Sequence, residues 1–249
     1  MVSRLLIIEN ISKGFNGSTV VADVNLTVPK NGFSVLIGPS GCGKSTLFDL
    51  LMGAVPMDAG SIRWDGTGVT DLSHLAAYMQ QSDLLLPWLG LADNARLPAD
   101  IAGKPLNRSQ HRVRRLFDRL GLAGFEAHLP SMVSGGMRQR CALARTLMFG
   151  RELVLLDEPL SALDAITRCS LQQMLRLLQT DFNKTILMVT HDIEEALLLA
   201  DELLVLTSRP MRVAARIVLD EPHPRRMAHP RLVALKHRVL TMLQEERTS

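Results

Sequence analysis

Residues suited to phosphate chemistry occur together near the start of the chain, in the stretch GPSGCGKST. The candidate phosphate-binding residues are Gly38, Pro39, Ser40, Gly41, Cys42, Gly43, Lys44, Ser45 and Thr46. The glycines let the backbone curl so that successive amides point at phosphate oxygens, and the positive end of a following helix adds to the attraction. At this P-loop spacing, Lys44 reaches the β- and γ-phosphates and the Ser45 hydroxyl binds Mg²⁺. The loop predicts a nucleotide site, but it leaves open a GTPase, a kinase, a motor or a transport ATPase.

Two adjacent carboxylates, Asp157 and Glu158, follow the apolar stretch LVLL. In a P-loop protein, the carboxyl end of a nearby strand is where Mg²⁺ and the attacking water are held. We therefore expect Asp157 to hold the ion alongside Ser45, and Glu158 to polarise the water aimed at the γ-phosphate. The alternative is an exposed acidic pair at the end of a strand.

A second candidate anion site lies at Ser134, Gly135 and Gly136, directly before a predicted helix. Backbone amides at a helix N-terminus attract anions, as they do in the P-loop. One nucleotide does not need two phosphate cradles within one chain. The second cradle therefore indicates a nucleotide that two chains share.

Hydrophobic periodicity, glycines and prolines divide the chain into zones. Up to about residue 80, the predicted elements are strands at Leu5 to Ile8, Val20 to Val28 and Ser34 to Ile37, a helix at Thr46 to Met52, and a hairpin-like segment at Ser61 to Gly66. From about 82 to 132, helical segments, the clearest being Arg108 to Leu120, are separated by Pro87, Pro98, Pro105 and Pro130.

The remaining zones alternate between helix and strand. The predicted helices are Gly136 to Phe149, Ala165 to Thr180 and Ile193 to Ala200, and the predicted strands are Leu153 to Leu156, Thr185 to Val189 and Glu202 to Leu206. After Ser208 we expect an edge strand, Val213 to Leu219, and a final helix. Continuously apolar strands separated by helices predict an α/β fold with a parallel sheet that is covered on both faces.

Composition narrows the class of protein further. The 249 residues are 47% hydrophobic and carry a net charge of +3, which is too small to imply a nucleic-acid partner. No apolar run approaches the ~18 residues of a membrane span. The start, MVSRLLIIEN, predicts a strand and not a signal peptide. Three scattered cysteines argue against a disulfide framework or a zinc site.

The C-terminal tail, residues 209–249, is more basic than the rest, with nine Lys and Arg residues against four Asp and Glu. It is interpreted either as a solvated surface or as a contact for acidic lipid headgroups or a partner.

Five motifs in order resemble the ATP-binding cassette (ABC) family of transporter ATPases. They are the P-loop, SGGMRQR, the LVLLDEP strand, SALD at Ser161 to Asp164 and THD at Thr190 to Asp192. The resemblance implies a P-loop NTPase core with a parallel sheet, an N-terminal antiparallel β region and an inserted α-helical subdomain. It implies one domain, 1–249, with the nucleotide-binding core at 1–81 and 133–208, the helical subdomain at 82–132 and a C-terminal extension at 209–249.

The family pattern also implies further site residues. Phe15 would stack on adenine, although a packing role for this aromatic stays open. Gln81 would be the catalytic and Mg²⁺-contacting glutamine, with Gln80 as the alternative one residue away. His191 would contact the γ-phosphate. Asp164 would lie at the interface between two cassettes, where Ser134 and Gly136 of one subunit grip the γ-phosphate bound by the other.

The resemblance finally implies ATP and Mg²⁺ as ligands and a homodimer, or a pair with a similar chain, on the cytoplasmic face of the cell membrane. Its partners would be membrane permease subunits, a coupling helix of which would dock on the helical zone, and a separate solute-binding protein. The sequence after Gln81 is most similar to the sequences of importer ATPases of the nitrate, sulfonate, taurine and bicarbonate group, which includes thiamine-precursor systems. Val133 and Leu160-Ser161 depart mildly from that pattern. The alternatives are an exporter or lipid-handling system and a non-transport cassette ATPase.

Overall fold

The computed structural model describes residues 4–161 and 163–248. Met1 to Ser3, which begin the predicted first strand, Ala162 of the SALD motif, and Ser249 lie outside the described residues. The strands are β1 (Arg4–Phe15), β2 (Ser18–Pro29), β3 (Phe33–Ile37), β4 (Ala59–Trp64), β5 (Thr67–Val69), β6 (Ala76–Met79), β7 (Leu153–Asp157), β8 (Thr185–Thr190), β9 (Glu202–Leu206) and β10 (Val213–Val218). The helices are α1 (Lys44–Leu51), α2 (Leu91–Ile101), α3 (Leu106–Leu120), α4 (Gly135–Met148), α5 (Ala165–Thr180), α6 (Ile193–Leu199) and α7 (Pro230–Thr248), with a 3₁₀ turn at Pro130–Met132.

A six-stranded sheet forms the centre of the fold, with strand order β10-β9-β3-β8-β7-β6. All neighbours pair in parallel except β10, which runs antiparallel to β9 at the edge. Every residue of β3, β7, β8 and β9 is buried, which explains why their sequences are mostly apolar on both faces. The pairings Ile37 with Thr190 and Asp157 with Val189 bring the ends of β3, β7 and β8 to one edge.

Two apolar cores lie on opposite faces of this sheet. On one face, α1 and an antiparallel sheet of order β2-β1-β4-β5 enclose a core that includes Leu47 and Phe48. On the other face, α2 to α7 enclose a core that includes Leu143 and Leu147 of α4. The sheet separates them because successive side chains of a strand point to opposite faces, as Leu36 and Ile37 do.

The zone between β6 and α4 is helical, as predicted, but two expectations were wrong. Pro98 lies inside α2 and does not separate two helices. Proline there removes one helical hydrogen bond. The fully buried Asn94 side chain ties the start of α2 to the preceding loop through bonds to Leu86 and Leu89, so the helix is anchored on the N-terminal side of Pro98. The other error was the omission of β6, a four-residue strand that is too short for its periodicity to be recognised.

Candidate functional site

The predicted P-loop connects the end of β3 to α1. Gly41 and Gly43 have φ angles of 76° and 122°, which lie in the left-handed region that favours glycine. A β-carbon at Gly38 would lie 3.0 Å from the Cβ atom of Leu206. No side chain of a described residue caps the start of α1, so its first backbone amides are available to an anion. Among the other predicted residues of the loop, Ser40 and Ser45 are exposed, Pro39 and Thr46 are half-buried, and Cys42 is buried.

Lys44 folds back into its own loop. Its side chain is only 5% exposed, and Nζ donates hydrogen bonds of 2.9 Å to the carbonyl oxygens of Gly38 and Pro39. The same Nζ lies 3.7 Å from Oε1 of Glu158. The ammonium group is therefore enclosed by the loop and faces a carboxylate at the end of β7.

Asp157 is the last residue of β7, and only one of its two carboxylate oxygens has a hydrogen-bond partner among the described residues. Oδ2 accepts a hydrogen bond of 3.2 Å from the Tyr78 hydroxyl, whereas Oδ1 is buried and has no partner among the described residues. Burial raises the pKa of Asp157, and the nearby Ser45 hydroxyl acts against that shift. A buried carboxylate oxygen without a donor fits a bound cation, which would supply the missing positive charge. Asp157 and Ser45 therefore fit the predicted Mg²⁺ site.

Glu158 lies between the other two predicted catalytic residues, His191 and Gln81. Its Oε2 lies 3.0 Å from Nδ1 of His191 and accepts a hydrogen bond of 3.2 Å from Nε2 of Gln81. Its φ of 44° is one that residues with a β-carbon adopt only at a cost, and its N–H is bonded to the carbonyl of Val189 on β8. The fold thus holds Glu158 in a strained position where three predicted catalytic residues meet.

The two candidate glutamines lie in different surroundings. Gln81 contacts Glu158, 77 positions away in the chain, whereas Gln80 lines a groove with Leu84, Ile101 and Phe149. This arrangement supports Gln81 as the residue of the site. Gln80 is placed toward the helical region.

The Ser134 segment lies away from the P-loop. Ser134 caps α4 by accepting a hydrogen bond of 3.3 Å from the N–H of Met137. Since α4 and α1 pack on opposite faces of the sheet, no hydrogen bond or ion pair within the described residues joins this segment to the P-loop. Ser134 and Gly135 are exposed, as a second anion site requires. Gly136 is buried, and a β-carbon there would lie 2.2 Å from Cγ2 of Thr167.

Asp164 and Phe15 are the remaining predicted site residues. Asp164 caps α5 by accepting hydrogen bonds from the N–H groups of Ile166 and Thr167, and these bonds lower the pKa of its carboxyl group. Phe15, at the end of β1, is 41% exposed, with the Lys13 ammonium 5.4 Å from its ring centre. An exposed ring can stack on a base, which a core phenylalanine could not do.

The sequence analysis missed Tyr78, the only tyrosine of the chain. Its hydroxyl donates a hydrogen bond to Asp157, and burial raises its pKa above an ordinary value that already keeps it protonated at neutral pH. The signal available in the sequence was a single aromatic three positions before Gln81, on the strand β6 that was not predicted.

Comparison with known proteins decides the family. A family model described as "ABC transporter" matches residues 21–161. The chain belongs to the ABC transporter family. It is 37% identical over 253 residues to the taurine import ATP-binding protein TauB of Yersinia pestis, with 98% of each chain covered. It is 39% identical over 240 residues to the aliphatic sulfonates import ATP-binding protein SsuB 2 of Burkholderia cenocepacia, with 96% of this chain and 87% of that one covered.

Among solved structures, the ABC cassette is similar to a dimeric post-hydrolysis state of the ATP-binding cassette MJ0796 bound to ADP and Pi. The TM-score is 0.77 at 25% identity, and 88% of this chain and 100% of that chain are covered. The predicted fold class and the prediction of an ABC transporter ATPase are confirmed. No helix in the described part of the chain has the length and apolar character needed to cross a bilayer.

Proposed function

We infer that this ABC cassette is the ATP-hydrolysing subunit of a solute importer and that it works as a head-to-tail dimer. The observation that carries the dimer is the location of the two phosphate-binding segments on opposite faces of one sheet. A single chain cannot bring Ser134 over its own P-loop, because the sheet lies between α4 and α1. Two chains in antiparallel arrangement can do so. The similar cassette MJ0796 has been solved as a dimer, which supports the same arrangement.

In this arrangement, ATP lies between the P-loop of one subunit and the Ser134 segment of the other. Lys44 leaves its contacts with the loop carbonyls to bind the β- and γ-phosphates, and Phe15 stacks on the adenine. Glu158 accepts a hydrogen bond from the attacking water and aligns it with the γ-phosphate. His191 and Gln81 hold the Glu158 carboxylate and contact the γ-phosphate side of the site.

Mg²⁺ would be held by Ser45 and Asp157, with Gln81 nearby, and would supply positive charge to the β- and γ-phosphate oxygens. The Tyr78 hydroxyl orients the Asp157 carboxylate by bonding Oδ2, so that Oδ1 is the oxygen left for the ion. Turnover is therefore expected to stop when EDTA removes divalent cations and to return when Mg²⁺ is restored.

The groove beside Gln81 is the proposed contact for a membrane subunit. It has a volume of about 260 Å³ and lies between β6, α2 and α4. Leu84, Ile101 and Phe149 are exposed at 54%, 85% and 45% and present apolar surface to a partner. A short helix of a permease would fit there and would sense movement of the loop that carries Gln81. A permease subunit bound in this groove would hold the cassette at the cytoplasmic face of the membrane.

The proposed solute is a small organic sulfonate, presented by a separate binding protein. Support comes from the relatives, since TauB is a taurine import protein and SsuB 2 an aliphatic sulfonates import protein. The test is growth of a strain lacking this gene on taurine or an alkanesulfonate as the sole sulfur source, with uptake of the labelled compound. Wild type should restore both, and Lys44→Ala should restore neither. Normal uptake without the gene would contradict the sulfonate assignment.

A second experiment tests whether the protein binds membrane subunits, whatever the transported solute. Tagged Glu158→Gln protein, purified from membranes with ATP, should bring down integral membrane subunits, and Phe149→Asp in the groove should release them while leaving ATP binding intact. Co-purification with a DNA-repair or ribosomal partner and no membrane protein would contradict the transport function.

A further inference from the structure

Arg209 contacts the P-loop from outside the five family motifs. Its Nε donates a hydrogen bond of 2.9 Å to the carbonyl oxygen of Gly41, at the turn where the loop has a φ of 76°. A planar trans peptide directs its C=O and its N–H to opposite sides. Because the Gly41 carbonyl belongs to the same peptide as the Cys42 N–H, the bond from Arg209 also sets the direction of that N–H.

The Cys42 N–H is in a position to change partner. It donates to the carbonyl of Pro39 at 3.4 Å, which is long for a backbone hydrogen bond. A phosphate oxygen would form a shorter, charge-assisted bond with the same N–H. Rotation of this peptide away from that direction would remove one donor from the phosphate cradle.

The segment that carries Arg209 is fixed on both sides. Met211 is fully buried and pairs with β2, donating from its N–H to the Val20 carbonyl at 2.8 Å and accepting from the Ala22 N–H at 3.0 Å. The Thr207 hydroxyl bonds within the turn, to the Pro210 carbonyl at 2.8 Å.

At the other end, the Ser208 hydroxyl donates to the Glu246 carbonyl of α7 at 2.6 Å. Arg209 thus extends from an anchored turn, so that its guanidinium can hold the loop in place.

We propose that Arg209 is a positioning residue of the ATP site: it holds the Gly41–Cys42 peptide so that the Cys42 N–H faces the phosphates. The inference rests on the proposed function, since it deepens the description of the same P-loop. The C-terminal extension, residues 209–249, then contributes directly to the geometry of the nucleotide site through its first residue.

The test compares Arg209→Ala, Arg209→Lys and Arg212→Ala. Arg212 is a matched control, because it lies in the same segment but its side chain pairs with Asp23 on the surface. Arg209→Ala should raise the KM for ATP about tenfold, as expected for loss of a charge-assisted hydrogen bond, with kcat within about twofold of wild type. Arg209→Lys keeps a charged donor and should lie between Arg209→Ala and wild type, and Arg212→Ala should match wild type.

Hydrogen exchange without nucleotide gives a readout that does not depend on activity. Amides of residues 38–46 should exchange about tenfold faster in Arg209→Ala, while those of β8 and the melting temperature stay unchanged. Unchanged KM and exchange in Arg209→Ala would overturn the proposal, as would faster exchange across the whole protein. ADP should protect residues 38–46 in wild type. Absence of that protection would contradict the proposed function, whereas protection with no effect of Arg209→Ala would contradict only the role of Arg209.

Discussion

Glu158 Oε2 and His191 Nδ1 lie 3.0 Å apart, across the ends of the neighbouring strands β7 and β8. The contact brings the predicted base for water activation next to the predicted sensor of the γ-phosphate. Glu158 is 13% exposed and His191 48% exposed, so the carboxylate is enclosed while the ring reaches solvent. The histidine is therefore the member of the pair that is open to an approaching second subunit.

Replacing Glu158 with glutamine should separate ATP binding from hydrolysis. Glutamine keeps the size of the side chain and can still contact His191, but it cannot accept a proton from water. We expect ATP turnover to fall by at least about a hundredfold, the range of general base catalysis. ATP affinity should stay within a few-fold of wild type, and ATP should drive a stable dimer visible by size-exclusion chromatography. Normal ATPase activity in this variant would refute the assignment.

Replacing Lys44 with alanine should weaken the binding of ATP. The ammonium group is already held at the loop by the carbonyls of Gly38 and Pro39, where it can meet phosphate oxygens. Its removal should weaken ATP binding by more than about tenfold, because a charge-assisted contact is lost. Isothermal titration at fixed ionic strength measures the change. Equal affinity in wild type and variant would count against the P-loop as the nucleotide site.

Variants of Gln80 and Gln81 test which of these two adjacent glutamines acts in the site. Gln81→Ala should lower turnover, because it removes the hydrogen bond to Glu158. Gln80→Ala should leave basal turnover of the isolated cassette near wild type, because Gln80 lies in the groove. Steady-state ATPase assays on both variants decide between them, and the reverse pattern would make Gln80 the glutamine of the site.

Gly136 should be needed for packing, whereas its neighbour Gly135 should tolerate a β-carbon. A β-carbon at Gly136 would meet Cγ2 of Thr167 at 2.2 Å, so Gly136→Ala should lower the free energy of unfolding by about 2 kcal/mol through overpacking. The double variant Gly136→Ala, Thr167→Ser removes Cγ2 and should recover much of that loss. Gly135→Ala is the control, since its nearest contact would be an ordinary 3.6 Å to Arg138. Urea unfolding measures all three, and equal stability of the two single variants would contradict the clash.

Glu195 should make stability depend on pH. Burial raises its pKa from 4.5 to about 7, with the Asp192 carboxylate acting in the same direction and Thr190, Arg168 and His191 against it. Between these two values the folded protein binds more protons than the unfolded chain, so stability falls as pH rises. Glu195 contributes up to about 3 kcal/mol to the free energy of unfolding. This contribution is complete below about pH 4.5 and is lost above about pH 7.

Glu195→Gln should flatten this dependence, because the amide is neutral throughout. Urea unfolding at pH 5.5 and pH 8 provides the measurement. Glu194→Gln, at the exposed neighbour that pairs with Lys236, is the matched control and should keep the wild-type slope. An identical slope in Glu195→Gln and wild type would contradict the role of Glu195.

Local features of this protein were predictable from its sequence alone. The P-loop depends on glycines that permit φ angles such as the 122° of Gly43, and that permission is a property of the residue itself. The strands β7, β8 and β9 are buried on both faces, so the continuous apolar run inside each one predicted it closely. The helix at Ala165–Thr180 was also predicted with its observed bounds, since its buried residues Leu171, Leu175 and Leu178 recur at helical spacing.

Relationships between distant residues were decided by the tertiary structure. The contact that favours Gln81 spans 77 positions, and the bond between Arg209 and Gly41 spans 168. Neither produces a local pattern, because a chain-distant contact depends on how the strands are ordered in the sheet. The same holds for the separation of the P-loop and Ser134 onto opposite faces. The sequence predicted two phosphate-binding segments, and only the position of the sheet between α4 and α1 supports the proposal that each is half of a shared site, because a sheet keeps its two faces apart.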